Sequence, residues 1–469
     1  MNTKTVGEVF QTRRDLLKLG GLGLLGASAE SVWPLKIAAS EGSAAKVHPR
    51  GNARNVLFYE ISGAISHVEG FDFKETAGTP KDLDIRKIKD DLYLSKLLFP
   101  KFEKHLDKFA LVRSMQSHEE VHFRAQYYQQ TGRQLNLAFA REIPSIGSVV
   151  AMELESRRRQ EDTFPTYMSF YLEKGAAGAL STGFLPPRFS VVDINPEAAV
   201  KGTALDEKAV QLLEERWRLL RELKESEKVR ISTYGKEMAG YDDFYDTAHR
   251  LLSDNRWPTA FKIAEADRKR YGNNPVGISC ILARNVLAQD AGTHYIHVCH
   301  PGWDHHVQIW DRKAKSNHYV LCQEFDPALS SLMEDLATTP SKTNPQKTLL
   351  DETLVVVMGE FGRTPGALNN MAGRDHYNKC YPAMFAGAGV KGGLILGRTD
   401  TAGAKCLETG WKRKEQPRME NILATMYSAL GIDWSKEIRN MPSGRTYPYV
   451  DPLGPHGYIP TDEISTIYG

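Results

Sequence analysis

Residues 353–363 read Thr-Leu-Val-Val-Val-Met-Gly-Glu-Phe-Gly-Arg, and this stretch decides the fold class. Its residues 354–358 are apolar at every position and rich in valine, which is typical of a β-strand buried on both faces. Such strands lie inside parallel sheets, where helices cover both sides. Glu360 and Arg363 follow directly, so the stretch predicts a central strand that leads into a polar loop.

Other segments of the chain share this strand character, and amphipathic helical stretches separate them. They are residues 55–59, 109–112, 294–298 and 382–385. Buried strands that alternate with helices predict an α/β protein with an open, largely parallel sheet and helices on both sides. Sheets of this kind bind ligands beyond the carboxyl ends of their strands. Histidines, carboxylates and glycines follow the segments, so we expect a functional site at that edge.

The composition is that of a globular protein. With 469 residues, 41% hydrophobic and 25% charged, it excludes disordered, collagen-like and coiled-coil proteins. Lys and Arg number 60 against 58 Asp and Glu, and a net charge of +2 lacks the basic excess of a nucleic-acid-binding protein. The five cysteines are scattered without a C-x-x-C pair, which disfavours a disulfide framework and a thiolate zinc site.

The amino terminus has the features of a bacterial export signal. Arg13 and Arg14 precede an apolar run at residues 19–29, which is too short to span a membrane and ends in the small-x-small cleavage site Ala-Ser-Ala. The paired arginines indicate the twin-arginine translocation machinery as a partner and a periplasmic or extracellular location. An uncleaved signal anchor is the open alternative.

These features divide the chain into a signal peptide at residues 1–29, a linker at 30–50 and one domain at 51–469. Within the domain, residues 196–270 form a highly charged stretch with leucines at helical spacing, which predicts a helical insertion. We interpret its charge as a solvated helix face rather than a binding surface.

Residues 118–122, His-Glu-Glu-Val-His, match the H-E-x-x-H pattern of zinc peptidases. In that pattern two histidines one helical turn apart hold zinc, and the glutamate acts as general base. Here a second glutamate stands between the histidines, and polar residues precede them where apolar ones are usual. A zinc peptidase that uses His118, Glu119 and His122 is therefore a second alternative for the function.

Later segments carry a resemblance to a known family. Thr-Gly-Arg at residues 131–133 resembles the motif on the helix that the nucleophile opens in sulfatases of the alkaline phosphatase superfamily. Residues 351–362 resemble the sulfatase strand that ends in Ser-Asp-His-Gly, and residues 420–432 resemble the late helix that ends in Leu-Ala-Gly-Ile. With Gly-Glu-Phe-Gly-Arg-Thr-Pro at 359–365, the chain is identified as a member of the exported domain-of-unknown-function family 1501, allied to sulfatases and alkaline phosphatases. The resemblance implies a three-layer α/β/α, alkaline-phosphatase-like fold.

The resemblance also marks where this chain differs from active sulfatases. Their nucleophilic cysteine lies nine residues before the threonine of Thr-Gly-Arg, and counting back from Thr131 lands on His122. A histidine can carry a phosphoryl group or bind a metal, but it cannot become the formylglycine of a sulfatase. Ser62 and Gly63 stand where sulfatases place paired aspartates on calcium. Sulfate-ester cleavage through formylglycine is therefore excluded.

The polar residues after the strands still suit a metal site. The candidate ligands are Asp304, His306, Glu360 and His376, joined by His67, Asp72 and Asp375. Imidazoles with carboxylates suit zinc or manganese, with calcium as a further alternative, and a metal centre can generate hydroxide and clamp an oxyanion. His122 would be nucleophile or ligand, and Arg363 or Arg374 would hold the anion. Structural interpretations also exist, such as a turn cap for Asp304 or an ion pair between Glu360 and Arg363.

Together these observations predict an exported, metal-dependent hydrolase of an anionic ester, either a phosphate ester or a sulfate ester cleaved by water. The substrate would be a small anionic ester or a sulfated or phosphorylated glycan, and neither a nucleic-acid partner nor a stable membrane span is expected. The first alternative is a protein without catalytic activity that binds anionic glycans. Loss of the paired aspartates favours that alternative, and the many polar residues at strand ends oppose it.

Overall fold

A computed structural model describes residues 36–38, 47–201, 208, 211–212, 214–222, 246–439, 441–454, 457–458 and 461–469, and the statements below concern these residues. Its main feature is an eight-stranded central sheet. In chain order the strands are β1 (Asn55–Ile61), β2 (Phe109–Met115), β3 (Tyr167–Phe170), β4 (Val192–Ile194), β5 (Tyr295–His300), β6 (Thr353–Gly359), β7 (Tyr381–Ala386) and β8 (Ile395–Leu396).

All strands of this sheet except β7 run in the same direction. The order across the sheet is β8-β2-β7-β6-β1-β5-β3-β4. Neighbouring strands pair in parallel, apart from the two antiparallel pairs that β7 makes with β2 and β6. This arrangement confirms the predicted largely parallel α/β sheet.

The central strands β1 and β6 are adjacent, and all of their residues are buried. Side chains alternate between the two faces of a strand. Leu57 and Tyr59 of β1 pack into one hydrophobic cluster, whereas Val56 and Phe58 pack into another on the opposite face. The sequence shows no polar alternation because both faces are covered.

Helices cover both faces of the sheet. Their bounds are α1 (His122–Thr131), α2 (Ile146–Leu154), α3 (Pro196–Val200), α4 (Arg256–Ala260), α5 (Glu265–Tyr271), α6 (Pro275–Gln289), α7 (His318–Thr338) and α8 (Met419–Ala429). α6 and α7 bury apolar residues in the cluster that contains Leu57, and α2 and α8 bury theirs in the cluster that contains Val56. The result is the expected three-layer α/β/α architecture.

Short elements lie outside the central sheet. The strand pairs are Lys36–Ala38 with Glu437–Arg439, Glu437–Arg439 with Tyr447–Pro448, Ile85–Lys89 with Leu92–Ser95, Gly362–Arg363 with His376–Tyr377, Arg398–Thr399 with Cys406–Glu408, and Leu453–Gly454 with Gly457–Tyr458. The 3-10 helices are Phe102–Lys108, Glu155–Arg157, Leu172–Lys174, Pro187–Phe189 and Ser465–Tyr468. Among the described helices, no candidate has both the length and the hydropathy that a membrane span needs.

Local sequence signals set the helix ends. The Asn274 side chain accepts hydrogen bonds from the N–H groups of Val276 and Gly277, at 3.0 and 2.9 Å, and a proline follows it at the first helical position of α6. α1 begins at His122 and ends at Thr131, and the next residue, Gly132, has a φ of 66°, the left-handed conformation that glycine favours after a helix.

The direction of β7 corrects one expectation. We expected the segment at 382–385 to end at the same edge as the other strands, but β7 is antiparallel to its neighbours, so Gly387 lies at the far edge. Gly387 forms a tight turn there, with a φ of 74° and a position for Cβ only 2.2 Å from the carbonyl oxygen of Thr353. His376, which precedes β7, instead lies at the edge where β1, β5 and β6 end.

Much of the predicted domain division lies outside the described residues. This applies to the signal peptide at 1–29 and to most of the linker at 30–50. The insertion at 196–270 is described only in part, and that part includes α3, α4 and α5. The domain boundaries therefore stay predictions.

A buried hydrogen bond ties α1 to α8. The Tyr128 hydroxyl of α1 donates to the carboxylate of Glu420 in α8. Burial raises the pKa of Glu420 to about 7, although the hydrogen bond from Tyr128 opposes this shift. Because α1 carries His122 at its first residue, this contact helps to place that imidazole.

We expect Glu420→Gln to alter how stability depends on pH. Folding raises the pKa of Glu420 from 4.5 to about 7, so its contribution is fully present below the lower value and is lost as pH rises through the upper one. Glutamine has no such proton to lose. Urea unfolding should therefore show the stability of the wild type falling relative to the variant by up to about 3 kcal/mol between about pH 5 and about pH 8.

Glu415 provides the matched control, because it is exposed, whereas Glu420 is buried. Glu415→Gln should leave the pH dependence of the free energy of unfolding unchanged. A pH profile of Glu420→Gln that runs parallel to the wild type would contradict the assignment.

Candidate metal centre

Polar side chains from separate segments meet at one edge of the sheet. β2 leads to His122 at the start of α1, β5 leads to Asp304 and His306, and β6 leads to Glu360. His376 enters the same edge because β7 runs in the reverse direction. The side chains at this edge therefore follow the carboxyl ends of three strands and precede the amino end of a fourth.

Asp304 lies at the centre of this edge. Its Oδ1 atom is 3.0 Å from Nε2 of His122, 3.1 Å from Nε2 of His306 and 3.5 Å from Nε2 of His376. The Nε2 atoms of His306 and His376 are 2.8 Å apart. The ligand atoms of these four residues all lie within 4.8 Å of one another, and we call the group the His-Asp cluster.

Each imidazole of the His-Asp cluster uses its other ring nitrogen to contact an oxygen outside the cluster. The pairs are His122 Nδ1 with Glu360 Oε1 at 2.6 Å, His306 Nδ1 with Asp375 Oδ1 at 2.8 Å, and His376 Nδ1 with the carbonyl oxygen of Glu120. A proton held at Nδ1 leaves the lone pair on Nε2, which is the tautomer that a metal ligand requires. The surroundings therefore prepare three Nε2 atoms for the same point.

The donor set and its dimensions fit a transition metal. Ligand atoms about 2.0–2.1 Å from a tetrahedral ion are about 3.3–3.4 Å from one another. Four of the six separations in the His-Asp cluster range from 2.8 to 3.5 Å, and none exceeds 4.8 Å. Three imidazole nitrogens and one carboxylate oxygen suit zinc or manganese, whereas calcium prefers oxygen ligands.

Asp304 is held in its charged form. Burial alone would raise its pKa, but hydrogen bonds from His122, His376 and Arg363 outweigh this effect and hold the pKa of Asp304 well below its usual range. The Arg363 guanidinium lies 2.7 Å from Asp304 Oδ1. The Asp304 side chain is nevertheless 46% exposed, so solvent reaches the cluster.

His122 binds protons more tightly than an ordinary histidine. Burial alone would lower its pKa, but the hydrogen bonds with Asp304 and Glu360 outweigh burial and raise the pKa of His122 to about 9. The carboxylates that stabilise a proton on this ring would equally stabilise a metal cation at Nε2, because both carry positive charge.

Glu360 lies behind His122, outside the His-Asp cluster. The backbone N–H of Gly63 donates to both of its carboxylate oxygens, at 2.9 and 3.1 Å. Gly63 has a φ of 104°, and a Cβ at this position would lie 2.5 Å from the backbone nitrogen of Asp304. Glycine is therefore required for the loop after β1 to approach the loop after β5.

The two arginines predicted to hold an anion are fully buried and bound to protein oxygens. Besides Asp304, the acceptors of Arg363 are the carbonyl oxygens of Gly63, Ala64, Trp303 and Arg374. Arg374 pairs with Glu69 and donates to the carbonyl oxygens of Thr364 and Gly366. Both guanidinium groups thus hold the loops of the site together.

His67 and Asp72 lie in other contacts and do not join the His-Asp cluster. Nε2 of His67 is 2.8 Å from the carbonyl oxygen of Gly403. Asp72 forms ion pairs with Lys74 at 3.2 Å and with Arg113 at 3.4 Å. Both side chains are buried, and neither belongs to the His-Asp cluster.

The H-E-x-x-H hypothesis requires two histidines on one helix face. α1 begins at His122, so His118 precedes the helix, and its Nε2 lies 3.9 Å from a carboxylate oxygen of Glu420. Glu119 pairs with Arg124 at 2.8 Å. The structure therefore does not supply the arrangement that a zinc peptidase would need.

Asn369 is a site residue that the sequence analysis missed. Its Nδ2 donates to Asp375 Oδ1 and to the carbonyl oxygen of His306, both at 3.0 Å, and its Oδ1 accepts from the N–H of Gly373 at 2.9 Å. It thereby orients the carboxylate that contacts His306. The sequence offered one signal for it, the pair Asn369-Asn370 shortly before Gly373, because asparagine and glycine are typical residues of turns.

The sequence of this chain matches a known protein family. A sequence model of the family described as "Protein of unknown function (DUF1501)" matches residues 53–456. No curated protein matches the chain at a significant level.

Three solved structures resemble the chain weakly. A protein of the alkaline phosphatase superfamily from Vibrio parahaemolyticus has 10% identity and a TM-score of 0.36, over 90% of this chain and 76% of that one. The lipoteichoic acid synthase LtaP from Listeria monocytogenes has 9% identity and a TM-score of 0.35, over 89% and 78%. The phosphonate monoester hydrolase SpPMH from Silicibacter pomeroyi has 13% identity and a TM-score of 0.38, over 84% and 75%.

We expect Glu360→Gln to weaken metal binding. The substitution removes the charge that holds the Nδ1 proton of His122, and loss of such an outer partner raises the dissociation constant by roughly 10–100-fold. Competition with a chromogenic chelator measures the constants for zinc and manganese. Glu119→Gln is the matched control, since Glu119 pairs with Arg124. Equal affinities of Glu360→Gln and the wild type would show that Glu360 does not support the site.

Proposed function

We propose that this chain, which belongs to the DUF1501 family, is an exported, metal-dependent hydrolase of phosphate or sulfate esters. The Gly-Glu-Phe-Gly-Arg-Thr-Pro motif predicted this family. One observation carries the proposal: the Nε2 atoms of His122, His306 and His376 converge on Asp304 Oδ1. Each of these rings also contacts an oxygen through Nδ1, as metal-binding histidines do in proteins.

The charges around the His-Asp cluster favour an anionic substrate. Asp304 is the one carboxylate of the cluster, and the buried Arg363 already offsets its charge. Neutral imidazoles add no charge to a bound ion. A divalent cation held there would keep a positive charge within its own ligand set, which attracts the oxygens of a phosphate or sulfate group, while Glu360 and Asp375 add negative charge behind the rings.

Residues around the His-Asp cluster orient its ligands and leave one side of it open. Glu360, Asp375 and the carbonyl oxygen of Glu120 fix the orientation of the three rings, and Arg363 holds Asp304 in place. The exposed side of Asp304 gives substrate and water access to the cluster. When bound, a divalent cation supplies Lewis-acid catalysis by polarising the ester and acidifying a water molecule.

His122 fits the role of ligand better than that of nucleophile. Its Nδ1 contacts Glu360 at 2.6 Å, and its Nε2 faces Asp304 at 3.0 Å. A nucleophilic attack needs a ring nitrogen whose lone pair is free to reach the substrate. Nε2 of His122 is buried beside Asp304 and is not open to a substrate, so we assign His122 to the ligand set.

Turnover and metal content test the hydrolase directly. Protein purified from its native compartment should contain zinc or manganese in stoichiometric amount and should cleave an aryl phosphate or an aryl sulfate. Chelation should abolish turnover and lower the melting temperature, and the metal should restore both. His306→Ala and His376→Ala should lose more than about 100-fold in turnover, because even an outer-shell loss costs roughly 10–100-fold.

His48→Ala is the matched control, since His48 is exposed and outside the site. Protein without transition metal, whose melting temperature ignores chelation, would contradict the proposal. Metal-bound protein that binds phosphorylated or sulfated glycans without cleaving any ester would instead establish the binding protein that the sequence left as an alternative.

The export part of the proposal rests on residues 1–29, which lie outside the described residues. Replacing both Arg13 and Arg14 by lysine should retain the protein in the cytoplasm, because twin-arginine translocation requires the pair. Cell fractionation measures the distribution. Lys18→Gln, which leaves the pair intact, is the control, and export of the double variant at the wild-type level would contradict the assignment.

A further inference from the structure

A buried phenylalanine contacts two of the three imidazoles in the His-Asp cluster. The centre of the Phe361 ring lies 5.0 Å from that of His122 and 4.7 Å from that of His376, at interplanar angles of 37° and 38°. Aromatic rings at such separations are in contact and attract one another. Phe361 is only 1% exposed, so its ring contacts protein groups and not solvent.

The surroundings of Phe361 leave its ring little freedom. Phe361 forms a small hydrophobic cluster with Ala64 and Ala125, and both of these residues are buried. Ala64 belongs to the loop after β1, and Ala125 lies three residues after His122 in α1. Because protein interiors are close-packed, the phenyl ring cannot move without displacing these neighbours.

The backbone also keeps Phe361 close to His376. The two residues after Phe361 form a short antiparallel pair, in which Gly362 faces Tyr377 and Arg363 faces His376. The contact between the phenyl ring and the His376 ring therefore follows from the strand pairing as well as from side-chain packing.

This ring contact adds a constraint that the Nδ1 contacts do not supply. A hydrogen bond at Nδ1 fixes the position of that nitrogen, but the plane of the imidazole can still turn about it. Contact with a closely packed ring opposes such a turn, because a small gap already forfeits much of the dispersion attraction. Glu360 and Phe361 are consecutive, so one dipeptide holds His122 both at a nitrogen and at its ring.

The contacts among the imidazoles extend the effect to the third histidine. The ring of His376 is centred 4.3 Å from that of His122 and 4.5 Å from that of His306. In the described part of the chain, His306 makes no ring contact with Phe361. A change at Phe361 would therefore reach two ligands directly and His306 only through His376.

We infer that Phe361 is a positioning residue of the metal centre, and that it holds the rings of His122 and His376 in the orientation in which both Nε2 atoms face one ion. The inference rests on the part of the proposed function that has the His-Asp cluster bind a divalent cation, and it does not depend on which ester is cleaved. Ligands that are already oriented bind more tightly, because less conformational freedom is lost on binding.

Metal affinity of non-aromatic variants tests this inference. Phe361→Leu and Phe361→Met keep an apolar side chain and remove the ring, and two variants are made so that a folding defect in one leaves the other informative. Competition with a chromogenic chelator should give zinc dissociation constants at least about 10-fold above that of the wild type, as for the loss of other groups around a metal. The visible absorption spectrum of the cobalt-loaded protein should also change, because it reports the angles between the ligands.

Two further variants separate positioning from packing. Phe385→Leu is the matched control, because Phe385 is equally buried but lies within β7. It should lower the melting temperature and leave the zinc affinity and the cobalt spectrum unchanged. Phe361→Tyr keeps the ring and buries a hydroxyl group, so it should lower the melting temperature yet bind zinc as the wild type does.

Two results would overturn the inference. The first is wild-type zinc affinity and an unchanged cobalt spectrum in the non-aromatic variants. The second is an equal loss of affinity in Phe385→Leu, which would show that any loss of core packing weakens the site.

Turnover of an aryl phosphate by the same proteins separates this inference from the proposed function. If the wild type binds zinc and cleaves no ester, while Phe361→Leu binds zinc more weakly, the positioning role stands and the hydrolase is overturned. If the wild type cleaves the ester, while Phe361→Leu and Phe361→Met keep its zinc affinity, the hydrolase is supported and the positioning role is overturned. A wild type that binds no metal overturns both.

Discussion

Asp304 Oδ1 faces three imidazole nitrogens and one guanidinium, and these contacts connect loops that follow different strands. Arg363 is 1% exposed, so removal of the carboxylate would leave a buried cation without its charged partner. The same guanidinium donates to carbonyl oxygens in the loops after β1 and β5. One carboxylate is therefore the common partner of the ring nitrogens of His122, His306 and His376 and of the guanidinium that connects the loops of the open edge.

The layers of the fold could be predicted from the sequence, because strands that are buried on both faces are apolar at nearly every position. The valines of β6 and the apolar run of β1 have no polar alternation, and both strands are covered on two faces. The direction of β7 could not be predicted in this way, because the apolar composition of Tyr381–Ala386 is the same whichever way the strand runs in the sheet. Direction is determined by which strands the segment pairs with, and that depends on contacts far along the chain.

The site was predictable to the level of the sheet edge. Residues that follow β2, β5 and β6 did meet, because parallel strands end together. The role of each side chain was not predictable in the same way. Glu360 stands at a strand end yet lies behind His122, because the N–H of Gly63 holds its carboxylate. Arg374 stands beside two site residues in sequence, yet its side chain is drawn inward by Glu69, which is remote in sequence.

The reversal of β7 has a consequence for how the site is held in place. Residues 360–380 leave the sheet from β6 and re-enter it through β7, and these two strands are hydrogen-bonded neighbours. One continuous segment thus contributes Glu360, Arg363, Asp375 and His376, while its two anchor points are fixed by the ladder between the strands. A shift in the register of this ladder would therefore move Asp375 and His376 relative to Glu360, so the geometry of the His-Asp cluster depends on the pairing of these two strands.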